Sequence, residues 1–262
     1  MHLEIITHKP KKDSGLTPLL FVHGGCHAAW CWENFLPYFA LYGYEAHAVS
    51  LRGHGASAGR ERIRSIRVAE YLADVAHAAG LMSAPPVLIG HSLGGYVVQK
   101  YLETHNAPAA ILLAPVPVTG TSKMLIRLAA KHPWQATKLH MTRNVSLMFE
   151  TPALVREALF SAGLPDKELN RHFARLDNES YCVGASATLF NLPRPGRVRP
   201  LPMLVLGAAD DALFSRDEIE ATARAYGTQA EFFPNMAHDM MLEPDWQKVA
   251  ERILSWLREQ KQ

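Results

Sequence analysis

Gly90-His91-Ser92-Leu93-Gly94 sets a serine between two glycines, directly after an apolar run and directly before a helical pattern. A hydroxyl so placed is suited to nucleophilic attack. On a very tight strand-to-helix turn the serine stands clear of the sheet in a strained backbone conformation, and the flanking positions must be small to avoid strand and helix. The helix that follows offers a positive N-terminus and free N–H groups to a developing anion. Serine at its ordinary pKa is a poor nucleophile, so the chemistry also demands a base to take its proton and a carboxylate to orient that base.

The elements that must hold this turn appear as an alternation of short apolar runs and longer amphipathic ones, the pattern of βα repeats building a mostly parallel sheet. Leu19–Val22 reads as a buried strand running into His23-Gly24-Gly25, and Tyr44–Ser50 as the next, ending at Leu51-Arg52-Gly53-His54-Gly55. Val68, Leu72, Val75 and Ala79 share one face of a helix expected over Ile66–Gly80. A strand over Pro86–Gly90, a helix over Gly94–Thr104 and a strand over Ala109–Ala114 follow. From about 115 to 195 apolar residues fall at helical spacing (Met124, Leu125, Leu128; Leu154, Ala158, Leu159), with Met141, Met148 and Phe149 among them and no strand pattern. Strands return at Met203–Gly207 and Ala230–Phe233, before a helix over Trp246–Leu257. The fold class expected is α/β, a mostly parallel central sheet flanked by helices. Its core comprises residues 1–114 and 196–262, interrupted by a helical lid insertion over 115–195.

Composition narrows the function classes. The 262 residues are 48% hydrophobic and 20% charged, with 27 basic and 25 acidic side chains and a net charge of +2, the balance of a globular protein with a large core. Basic residues are dispersed, with no run longer than Lys11-Lys12, so nucleic acid is not an expected partner. No apolar stretch approaches the ~20 residues needed to span a bilayer, and the first residues carry no leader pattern, so a cytoplasmic protein without a membrane partner is expected. Cys26, Cys31 and Cys182 are too few and too scattered for a disulfide framework. Cys26 and Cys31 flank His27, but without a second clustered pair of ligands no metal site is expected.

These features resemble the α/β-hydrolase superfamily over essentially the whole chain. Within it, His23-Gly24-Gly25-Cys26-His27-Ala28-Ala29-Trp30-Cys31-Trp32 is similar to the H-G-x-x-x-x-x-W-x-W stretch of plant methylesterases, hydroxynitrile lyases and their bacterial relatives. The resemblance implies the chain order Ser, then Asp or Glu, then His, with Ser92 as nucleophile and His238, just past the last strand, as general base. The acid is implied in Gly207–Phe214. Asp211 is preferred because one variable and two apolar residues follow it, whereas counting from Gly207 favours Asp210 as the alternative. The oxyanion hole is implied at the N–H groups of Leu93 and Gly25, each worth roughly 3–4 kcal/mol in such a site. Arg52 and His54 are expected to tie loops together, His91 to pack away from the site, and Trp30 and Trp32 to serve as core or pocket wall.

The activity implied is hydrolysis of small to medium, apolar carboxylic esters through an acyl-enzyme, with a small-molecule ester as partner and no cofactor. The same triad also serves cofactor-free lyases and perhydrolases, and some members of the superfamily only bind small molecules. Lyases of this type generally carry a lysine near the catalytic histidine, and none occurs at 234–242. Dehalogenases and epoxide hydrolases need an aspartate where Ser92 stands.

Overall fold

Four runs, Leu19–Val22 (β2), Val87–His91 (β4), Ala110–Leu113 (β5) and Met203–Ala208 (β6), are buried along their whole length. Strands apolar on both faces must be covered on both faces, and the computed structural model, which describes residues 2–12 and 14–262, covers them with helices. With Ile5–His8 (β1), Ala46–Val49 (β3) and Ala230–Phe233 (β7) they form a seven-stranded sheet in the order β1-β3-β2-β4-β5-β6-β7. Every pairing is parallel except that of β1 with β3.

Alternate strand residues feed two separate cores. Leu19, Phe21, Ile89 and Ile111 join Trp32, Phe35, Phe39, Ile253 and Leu257 on one face. Leu20, Val22, Leu88 and Leu112 join Tyr71, Tyr96, Val97 and Ile219 on the other. Each such side chain contributes roughly 1.5–3 kcal/mol on burial.

The helices are Phe35–Leu41 (α1), Val68–Gly80 (α2), Leu93–Leu102 (α3), Ser122–Lys131 (α4), Pro133–Thr142 (α5), Pro152–Leu159 (α6), Asp166–Phe173 (α7), Tyr181–Ala185 (α8), Arg216–Ala225 (α9) and Trp246–Glu259 (α10). Helices α4 to α8, with short 3₁₀ and π turns, fill the chain between β5 and β6. Among the described residues no helix is long and apolar enough to cross a membrane.

Three elements lie outside the sequence expectation. β1 is a half-exposed edge strand with no buried run to mark it. α1 carries Pro37 at its third residue, tolerated in a first turn where the N–H has no intrahelical acceptor. α9 opens with a capping box, Ser215 against Glu218, an S-x-x-E signal that periodicity alone passes over.

The glycines around Ser92 have no room to spare. A Cβ on Gly90 would lie 2.6 Å from Gly94 O and 2.8 Å from Gly95 Cα, both main chain. Gly90→Ala therefore forces strand and helix apart, and a cost of about 1–3 kcal/mol is expected. Thermal unfolding should register it as a Tm lower by roughly 2–10 °C. An unchanged Tm would mean that the turn has slack the geometry denies.

Candidate active site

Parallel strands end together, and the residues singled out in the sequence follow the C-terminal ends of four of them: Gly25 after β2, Ser92 after β4, Asp211 after β6 and His238 after β7. This is the edge of an open α/β sheet where ligands bind. Ser92 sits at φ +50°, ψ −117°, a conformation that non-glycine residues rarely adopt. Main-chain bonds hold it there: Ser92 N donates to Leu113 O at 3.0 Å, and Ser92 O accepts from Val116 N at 3.0 Å and Tyr96 N at 3.2 Å.

Ser92 and His238 line one cavity of about 330 Å³. Its walls are mostly apolar and drawn largely from the segment between β5 and β6, including Met124, Leu139, Met148 and Phe149. Gly25 and Leu93 lie on the same wall, and no protein acceptor among the described residues takes the N–H of either. Leu93 is the first residue of α3, where such a free N–H is inherent to the helix. Gly24 cannot carry a side chain, because a Cβ there would lie 2.7 Å from His91 Nδ1 and 3.0 Å from Ser92 Cβ.

His238 Nδ1 lies 2.8 Å from Asp211 Oδ2, with both side chains buried. A carboxylate only accepts, so Nδ1 carries the proton and Nε2 keeps its lone pair. Asp211 is fixed by the N–H groups of Leu213 (2.8 Å) and Phe214 (3.1 Å) on its other oxygen. Asp210 is exposed, and its own N–H bonds to Met236 O at 3.0 Å. Buried Glu243 secures the loop before His238, accepting from Ala237 N at 3.3 Å and from Ser161 N at 2.6 Å.

Residues 19–252 match the family model described as the alpha/beta hydrolase family. The chain belongs to that family. It is similar to pheophorbidase of Raphanus sativus, 26% identical over 248 residues that cover 88% of this chain and 83% of that one. Similarity to Methylesterase 3 of Arabidopsis thaliana runs to 23% over 241 residues, covering 88% and 81%. An esterase from Exiguobacterium antarcticum superposes with a TM-score of 0.76 at 18% identity, over 98% of this chain and 95% of that one. A thermophilic esterase from Thermogutta terrifontis superposes with a TM-score of 0.70 at 19% identity, over 99% and 94%. These two likenesses establish shared fold.

In this α/β hydrolase several polar groups behind Ser92 are buried, and each has a definite electrostatic state. Burial alone would push the His238 imidazolium down, but the charge and hydrogen bond of Asp211 outweigh it, and the pKa is raised. His91 lies outside expectation: rather than packing away, its Nε2–H donates to His238 O at 3.0 Å and its ring reaches the cavity wall. Burial, then the neighbouring His238, lower its pKa to about 3, so it stays neutral. His23 is neutral for the same first reason. Its Nε2 accepts from Leu51 N at 3.0 Å while its Nδ1–H donates to Gly24 O at 2.8 Å.

His27 pairs with Asp239 at 2.9 Å, a contact the sequence reading missed although Asp239 is adjacent to His238. Arg52 binds Asp74 and Glu70, and His54 lies 3.2 Å from Glu179, so both join distant segments. Trp32 is core, and Trp30 stacks on His172 at 6.0 Å. His91, His238 and Asp239 offer donor atoms within 4.8 Å of one another, the one metal-like cluster among the described residues. One atom of each is engaged, by the His238 carbonyl, Asp211 and His27 respectively, while His91 Nδ1 and Asp239 Oδ1 have no hydrogen-bond partner among the described residues. Burial pushes the Cys26 and Cys31 thiols well up, which leaves them protonated and poor metal ligands.

Asp211→Asn removes the charge that offsets the burial of His238. The His238 ring should then titrate lower than in the parent protein, whereas Asp210→Asn should leave it in place. NMR titration of the imidazole checks this, and equal behaviour of the two variants would dissolve the His238–Asp211 pairing.

Proposed function

We propose that this protein hydrolyses carboxylic esters of small to medium, apolar substrates, with Ser92 as nucleophile, His238 as general base and Asp211 as the carboxylate that orients it. The observation that carries the reading is one cavity lined by both a strained, helix-capping serine and a histidine whose Nδ1 is committed to a buried carboxylate. In this reading Ser92 Oγ attacks the ester carbonyl while His238 Nε2 takes its proton. The negative charge that develops on the carbonyl oxygen accepts from the N–H groups of Leu93 and Gly25. Collapse expels the alcohol, which leaves with the proton from His238. Water activated by the same Nε2 then attacks the acyl-enzyme, releasing the acid and restoring Ser92.

The helices α4 to α8 act as a lid, and their apolar side chains select the acyl or alcohol group. A cavity of about 330 Å³ is near the lower end of the range for small-molecule sites, which favours short and medium chains. The similarity to Methylesterase 3 supports ester chemistry. No lysine stands at 234–242 beside His238 to receive a leaving anion such as cyanide, which favours hydrolysis over a lyase reaction.

Hydrolysis of p-nitrophenyl esters from acetate to palmitate tests the reading. Rates should peak at short to medium chains, and Ser92→Ala should lose roughly four to six orders of magnitude in kcat while remaining folded. A Ser92→Ala variant that kept most of its activity would end this assignment of the nucleophile.

The base must be neutral to accept a proton, so activity is present above the His238 pKa and lost as pH falls through it. Because that pKa is raised, the acid limb of kcat/KM should lie above the ordinary histidine value of 6.5. A limb at or below it would argue against His238 paired to Asp211 as the base.

A further inference from the structure

Buried groups of opposite charge hold the Gly25–Cys26 peptide at both ends. Its carbonyl accepts from His27 Nδ1 at 2.8 Å, and its N–H donates to Glu179 Oε2 at 3.4 Å. His27 Nε2 lies 2.9 Å from Asp239 Oδ2. Both ring nitrogens of His27 thus face groups that only accept, a carbonyl and a carboxylate, so both carry a proton and the ring is an imidazolium. Burial works against that charge, but Asp239 and then Glu179 more than offset it, and the His27 pKa is raised. His91, His238 and His23 are the other titratable groups near it.

Glu179 comes from the linker between α7 and α8. Tyr71 OH at 2.6 Å, Ser180 N at 2.5 Å and His54 Nε2 at 3.2 Å surround its carboxylate. The same linker reaches Cys26 a second time, where Asp177 N donates to Cys26 O at 2.8 Å. Cys26 stands at φ +63°, in the left-handed region that non-glycine residues rarely occupy. Gripped on its N–H and its C=O, it cannot relax.

We propose that His27 and Glu179 are positioning residues for acyl transfer: together they fix the orientation of the Gly25–Cys26 peptide and so aim the preceding N–H, on Gly25, at the oxyanion. The inference rests on the reading of that N–H as an oxyanion donor. The physical argument is one of mismatch. Turning the peptide over would set its carbonyl against the Glu179 carboxylate and its N–H against the His27 imidazolium, unfavourable on both sides in a site where water cannot compensate. The Gly24–Gly25 peptide, which carries that N–H and joins the Gly25–Cys26 peptide at Gly25 Cα, is held by its own carbonyl, since Gly24 O accepts from His23 Nδ1 at 2.8 Å and from His27 N at 3.4 Å. Because Glu179 belongs to the lid, seating of the lid and completion of the oxyanion hole become one event.

The test compares parent protein, His27→Gln, Glu179→Gln and the double variant on the best p-nitrophenyl ester. Each single change should lower kcat roughly tenfold to hundredfold with KM within about threefold, as expected for an interaction that matters in the transition state. Since both residues hold one peptide, the double variant should be no worse than about the poorer single one. A wild-type kcat in either single variant, a loss confined to KM, or losses that multiply in the double variant would overturn the proposal. Should a variant fail to fold, ¹⁵N-histidine spectra of the parent protein still decide. Both His27 ring nitrogens should remain protonated at pH 7, where an ordinary histidine is mostly neutral, and a neutral His27 at pH 7 would overturn the proposal. A parent protein inactive on every ester would instead sink the esterase reading, and the spectra would still report separately on the charge of His27.

Discussion

A side chain on Gly90 would strike the main chain of α3, and one on Gly94 would strike the carbonyls of Val22 and His23 at the end of β2. The turn that bears Ser92 therefore exists only because strand, turn and neighbouring strand approach to a distance that excludes even a methyl group. That closeness sets the rest of the site. It makes β2 and β4 neighbours in register, Val22 against Gly90, so the loop leaving β2 must pass Ser92. It leaves Gly24 no room for a Cβ, and it holds Ser92 at a positive φ that its three main-chain hydrogen bonds maintain. Strain of this kind, of order 1–3 kcal/mol, persists only where the surroundings over-determine it.

The polar side chains behind Ser92 are buried, so this layer has to balance its own charges. His23 and His91 do so by staying neutral and donating to carbonyls. His27 and His54 lie beside carboxylates, Asp239 and Glu179, and their pKa values are raised rather than lowered by burial. Buried pairs of this sort are weak evidence for stability, because desolvation cancels much of the attraction. Their value here is geometric. Each ties a loop at the strand ends to a partner far away in sequence, and together they make the loops around Ser92 one hydrogen-bonded body.

What could be read in advance follows from how local each signal is. The central strands were legible because burial on both faces demands continuous apolar runs, and the Ser92 turn because its glycine requirement is contained in five residues. β1 escaped because an edge strand has no such demand, and α1 because Pro37 reads as a breaker when only its first-turn position makes it harmless. Asp210 and Asp211 are nearly equivalent as sequence and differ sharply in space, since only one carboxylate reaches His238. The roles of His91 and Glu179 had no local signal, because His238 lies 147 residues from the first, and Tyr71 and Cys26 lie 108 and 153 from the second.

The segment between β5 and β6 marks the boundary of that legibility. Its apolar residues recur at helical spacing, which predicts helices but not which face meets what. In the structure Met124, Leu125 and Met148 line the cavity, while Ile126, Trp134 and Met141, within the same run of helices, are exposed. A helix packed on one broad core would bury a single stripe, so periodicity would name the buried residues. A helix that caps a cavity meets the core, the cavity and solvent along three different lines, and the period no longer distinguishes them. Which side chains face the cavity therefore depends on how each helix is turned about its axis, which the spacing alone does not fix. The turn that bears Ser92 is constrained differently, by glycines whose surroundings leave no room for a side chain, and that constraint is contained in five residues of sequence.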